Sequence, residues 1–138
     1  MPIVGFNYDK ITAEKTNQIT GKLNIKNNLS IKNIEQEKLP VGRSEEVLKL
    51  DFEYLADYEP DIGKIVLNGH ILLMEDPKKI KEIQDSWNKD KTLLKEITPL
   101  IFNSILGRCN IKGLTLSQEI NLPPQIRLPF MKQQETNN

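Results

Sequence analysis

The first half of the chain is patterned in period two and the second half in period three to four. Phe6, Tyr8, Lys10 and Thr12 alternate with Asn7, Asp9 and Ile11, which predicts a first strand from Phe6 to Thr12. Ile19, Gly21, Leu23, Ile25, Asn27, Leu29 and Ile31 fall on one face of a second segment, with Lys22, Asn24, Lys26, Asn28, Ser30 and Lys32 on the other. That is the signature of a half-buried strand with a wet lysine face. Asn27-Asn28 offers a turn as the alternative; one long, bulged strand is the preferred reading. After the Leu39-Pro40-Val41-Gly42 break, Leu48, Leu50, Phe52 and Tyr54 alternate with Lys49, Asp51 and Glu53. The turn Tyr58-Glu59-Pro60-Asp61-Ile62-Gly63 then leads into Ile65, Leu67, Gly69, Ile71 and Leu73. Four strands with short connections predict an antiparallel meander. Val66, Leu72 and Met74 among Asn68 and His70 suggest that part of its second face is covered as well.

At Asp76-Pro77 the period changes, with an N-cap residue followed by proline at the first helical position. Ile80, Ile83 and Trp87 share one face of this helix. A second helical stretch, from about Asp90 to Leu106, presents Leu93, Leu94, Ile97, Leu100, Ile101 and Ile105. Pro99 inside it predicts a kink or a division, and Gly107 a stop. Leu122-Pro123-Pro124 can join neither a helix nor a sheet interior, because proline fixes φ and removes a backbone donor. The apolar residues around it must be held by packing. The fold class expected is α+β, a four-stranded antiparallel meander followed by two to three C-terminal helices packed on one face. We read 1–138 as a single domain with a frayed tail at 132–138.

Nineteen basic and nineteen acidic side chains cancel, so no global field steers the chain to nucleic acid or an anionic membrane. Lys22, Lys26 and Lys32 share a strand face without the interleaved aromatics that stack bases, and a solvated, aggregation-resistant face is expected there. One cysteine, Cys109, supplies neither a disulfide nor a structural metal site. No apolar run approaches the roughly 20 residues of a membrane span, and no secretory leader is legible. A soluble, cytoplasmic protein without membrane insertion is expected.

Chemistry is sparse. His70 is the only histidine, and Asp51 and Glu53 are its possible cross-sheet partners; a packed or partly exposed strand histidine is the expectation. Cys109, read as following a helix end, gains no activation there. Asp51, Glu53, Asp57, Glu59 and Asp61 read as the solvent face of a strand, without a calcium-loop glycine. No catalytic residue, metal or cofactor is expected. The remaining signal is the aliphatic and aromatic load: a core is the plain reading, and burial of part of the Leu93 to Ile105 surface against another subunit or an apolar client is the sharper one.

The segments Thr98-Pro99-Leu100-Ile101-Phe102-Asn103-Ser104-Ile105-Leu106-Gly107 and Leu122-Pro123-Pro124-Gln125-Ile126, behind four antiparallel strands, resemble the SecB export chaperone family. The resemblance implies a four-stranded antiparallel sheet with helices on one side, homo-oligomers (dimers or tetramers), and an ATP-independent holdase that binds unfolded or extended polypeptides. Client contacts are expected at Phe6, Tyr8, Trp87, Leu122, Ile126, Leu128 and Phe130, and Leu94, Ile97, Ile101 and Ile105 at an oligomer interface or beneath it. The family's long crossover between its first two strands is replaced here by a few residues around Thr16-Asn17-Gln18. The tail lacks the family's signature for the export motor. The alternative is a non-catalytic interaction module with one dedicated partner, such as a toxin or antitoxin.

Overall fold

In the computed structural model, which describes residues 3–37 and 46–129, the alternating segments are β1 (Ile3–Lys15), β2 (Asn24–Glu37), β3 (Glu46–Glu59) and β4 (Gly63–Glu75). The later periodicity gives α1 (Pro77–Asp90) and α2 (Thr98–Glu119). The Leu39–Gly42 break, Phe130 and the tail 132–138 lie outside the described residues. All strand pairs are antiparallel, and β2, β3 and β4 follow one another as expected. The first strand departs from the meander: the order is β1-β4-β3-β2, so β1 pairs with β4 and the two earliest strands form opposite edges. Residues 16–23 make the crossing. At about 3.3 Å per residue they reach roughly 26 Å, against about 14 Å for three strand spacings. They run over the β3–β4 turn, where the N–H groups of Thr16 and Asn17 donate to Ile62 O at 2.8 and 3.2 Å. Asn17 Nδ2 donates to Asp61 O at 2.6 Å.

Bulges at Asp9 and Lys32 shift the pattern within both edge strands. The first sets Ile11 opposite Leu67, on the face of Phe6 and Tyr8, where strict alternation would have put it with Asn7. The second does the same for Ile34, which faces Leu50 and is buried. Leu48, Leu50, Phe52, Tyr54, Ala56 and Tyr58 of β3 join Ile65, Leu67, Ile71 and Leu73 of β4 in one core under the helices. Gly69 keeps a gap there: a Cβ would lie 2.7 Å from Phe52 Cζ and 2.2 Å from Asn7 O. The other face is a polar lattice of cross-strand pairs, Lys26–Glu59 at 3.2 Å, Lys64–Glu14 at 3.6 Å, Lys49–Glu35 at 3.7 Å and Lys32–Glu53 at 4.0 Å. Val66, Leu72 and Met74 are half-buried on it, although no helix among the described residues covers that face.

Asp76 caps α1 by accepting from Lys79 N at 2.9 Å, and Lys91 ends it in the left-handed region at φ 58°. The second helix begins later and ends later than the sequence suggests. Because it starts at Thr98, Pro99 sits in the first turn, where its missing N–H has no intrahelical partner to lose. It continues past Gly107 because buried positions recur at i+4: Ile97, Ile101, Ile105, Cys109, Gly113 and Ser117. Such a series drifts around the helix by roughly 40° per step. It begins on the core and ends against the segment that follows, where a Cβ on Gly113 would lie 2.3 Å from Gln125 Nε2.

Candidate functional site

The Leu-Pro-Pro segment is a strap tied to β3 and α2. Tyr58 Oη donates to Pro123 O at 2.6 Å, Leu122 N donates to Ser117 O at 2.8 Å, and Asn27 Nδ2 of β2 donates to Gln125 O at 2.8 Å. Gln125 is buried and donates to Tyr54 Oη and Asn110 O at 3.1 and 2.9 Å. Burial pushes the Tyr58 hydroxyl up to about 12, so it stays a donor at neutral pH. Leu122, expected at a client surface, is instead a core residue that fills the space beside Gly63. Ile126 is half-buried and Leu128 exposed, because beyond Gln125 the strap no longer faces the core.

Two concave regions flank α2, each beside a sheet edge whose outer backbone groups pair with no strand among the described residues. The first lies between β2 and the helices and has a volume of about 330 Å³. Leu29 and Ile31 of β2, Trp87 of α1, Leu93 of the connection and Phe102 of α2 supply its apolar walls, with Lys91 at the rim. Lys91 Nζ lies 5.5 Å from the centre of the Trp87 ring. Trp87 is almost wholly buried, and its indole N–H has no acceptor among the described residues. A buried donor without a partner is a standing penalty of about 1–3 kcal/mol.

The second region lies between β1 and α2. Ile3, Val4, Gly5, Phe6, Ser104 and Arg108 line one depression of about 330 Å³. Tyr8, Arg108, Ile111, Lys112 and Thr115 line the next, of about 290 Å³. Phe6 and Tyr8 meet edge to face at 5.1 Å. The Arg108 guanidinium stands 4.4 Å from the Phe6 ring centre, and Lys112 Nζ 5.8 Å from that of Tyr8. Burial, assisted by Cys109, holds the Tyr8 hydroxyl up at about 12. Burial likewise pushes the Cys109 thiol to about 11. Cys109 lies mid-helix, so desolvation and not a helix end suppresses its thiolate.

The expected site residues therefore do not converge. Phe6 and Tyr8 line the β1 side, Trp87 the β2 side, and Phe130 lies outside the described residues. Of the four positions expected at a subunit interface or beneath it, Ile97, Ile101 and Ile105 are core residues buried by the chain's own sheet, and Leu94 is half-buried against them. Sequence reasoning missed Leu29, Ile31 and Arg108 as wall residues, while Leu93 and Phe102 lie in the stretch expected to meet a subunit or an apolar client. The apolar pattern of Leu29 and Ile31 was legible, but their meeting with the helices depends on which strand forms the edge.

No protein-family model and no curated protein sequence matches the chain. Among solved structures, it is similar to the Mycobacterium tuberculosis Rv1957 SecB-like chaperone, determined in complex with a ChAD peptide from the Rv1956 HigA1 antitoxin. The TM-score is 0.57 at 12% identity, over 96% of this chain and 91% of that one. The fold is thus SecB-like: a four-stranded antiparallel sheet followed by two helices.

Proposed function

We propose that this chain is a SecB-like chaperone that captures unfolded or extended polypeptide segments without ATP or catalysis, with the β2-side groove as its principal client site. The observation that carries the reading is an apolar groove running beside an unpaired strand edge. An extended client adds its backbone to the free N–H and C=O groups of β2 while alternate apolar side chains enter the groove. The SecB-like fold, and a peptide bound by the neighbour of that fold, support the same reading.

A second reading, a module with one dedicated protein partner, is favoured by the fact that the neighbour's peptide comes from an antitoxin. Homo-oligomers and a cytoplasmic setting belong to the first reading as proposals. Val4 and Ile11 on the β1 edge and Leu100 and Ile111 on α2 are exposed apolar residues that a second subunit would bury.

Light scattering from several unrelated, chemically unfolded proteins diluted into buffer separates the readings. A holdase suppresses the aggregation of most of them at near-stoichiometric ratios. Suppression of none overturns the general holdase, and selective capture of a single client supports the dedicated module.

A further inference from the structure

At one place on the open face a histidine, and no lysine, stands between two aspartates. Four glutamates there, Glu14, Glu35, Glu53 and Glu59, each have a lysine within 4.0 Å. Asp9 and Asp51 have none among the described residues. Their basic neighbour is His70, whose Nδ1 lies 2.9 Å from Asp9 Oδ2. The three residues come from three adjacent strands at one level: Asp51 and Asn7 are the cross-strand partners of His70 on either side. Asp9 is the extra residue of the β1 bulge, which puts it and Lys10 on the same face in succession. One ligand-type atom from each of Asp9, Asp51 and His70 falls within 4.8 Å of the others.

We propose that Asp9, Asp51 and His70 form a binding site for a divalent metal ion of borderline hardness, with Zn2+ as the fitting probe. Two carboxylates and an imidazole are a donor set for such ions, with ligand bonds near 2.0–2.2 Å and ligand atoms about 3.4 Å apart. Side-chain rotations suffice to reach that spacing. The strands beneath are fixed by the core, since Phe52, Gly69 and Ile71 on their other face are buried. The His70 ring is only 18% exposed and is flanked by Asp9 at Nδ1 and the Asn7 amide at Nε2; ligation through Nδ1 puts the proton on Nε2 and turns the Asn7 carbonyl oxygen toward it. The ion supplies the positive charge that lysines supply elsewhere on the face. The remaining coordination positions are left to water or to a donor from a bound partner. The sequence reading expected no metal and offered Asp51 only as a cross-sheet partner of His70; Asp9, remote in the chain, was not foreseen beside them.

His70 is the only histidine, and Cys109, the only cysteine, is fully buried in the core beneath α2. The test is therefore clean in tag-free protein. ZnCl2 is titrated by calorimetry, with the ring nitrogens of His70 followed by NMR. One saturable site that shifts those nitrogens is expected. His70→Gln and Asp51→Asn should each weaken it at least tenfold with thermal unfolding little changed, while Glu53→Gln leaves it within twofold. Absence of saturable binding in the native chain, or His70→Gln binding as tightly as the native chain, would overturn the site.

Discussion

The two edges of the sheet offer a polypeptide the same backbone and very different walls. At β2 the groove is aliphatic and aromatic, with a single lysine at its rim and a buried indole donor lacking an acceptor among the described residues. At β1 the aromatic pair is roofed by Arg108 and Lys112, and the thiol and hydroxyl beneath are held neutral by burial. Strand addition gives affinity at either edge, but walls decide what is added. The β2 groove suits a client rich in apolar side chains. The β1 side suits a partner bringing acidic groups to cations that have no carboxylate within 4.0 Å among the described residues.

The strongest way to break this contrast is a charge in one groove only. Leu93→Asp, in the connection between the helices, should weaken an apolar client at least tenfold, about 1.4 kcal/mol. Arg108→Glu should leave that client within twofold. Fluorescence anisotropy of a labelled, permanently unfolded segment reads both. Equal losses would mean that the edges act as one site.

Alkaline pH should distinguish the β1 side next. The Cys109 thiol titrates near 9.0 when unfolded and near 11 when folded. Its contribution to stability is fully present below pH 9 and is lost as pH rises through 11, because the unfolded chain releases its proton first. The melting temperature of the native chain should fall across that window and further as the Tyr8 and Tyr58 hydroxyls, also held up by burial, titrate, and Cys109→Ala should remove only the earliest part of the fall.

A smaller effect sharpens the β2 side. Tyr58→Phe removes the hydroxyl bonded to Pro123 O, which should cost about 1 kcal/mol. Hydrogen exchange should then quicken in the strap and β2 more than in β1, since Asn27 ties β2 to Gln125. Smallest of all, Lys26→Gln breaks an exposed cross-strand pair and should change denaturant stability by less than about 0.5 kcal/mol.

The alternations of β3 and β4 and the Asp76-Pro77 helix start were legible because each residue there obeys a local rule that the core enforces. The strand order was not, although a clue stood in the composition. The most apolar strands, β3 and β4, take the centre, and β1 and the asparagine-rich β2 take the edges. A meander would have left β4 at an edge. The bulges at Asp9 and Lys32 were illegible in position because one extra residue changes no composition, yet it moves Ile11 and Ile34 to the other face. The length of α2 was hidden by Gly107, whose lack of side chain reads as a stop but is exposed and harmless on a helix that is buried along a different stripe. Trp87 was found for its bulk. Its groove partners were not, because they meet only through the crossover of 16–23.

Trp87 is the only tryptophan in the chain, so its emission reports the β2 groove alone. Titration with a permanently unfolded apolar polypeptide should give a saturable change in Trp87 emission that tracks the anisotropy of the labelled client and weakens with it in Leu93→Asp. Client binding with unchanged Trp87 emission would place the site elsewhere and contradict the account.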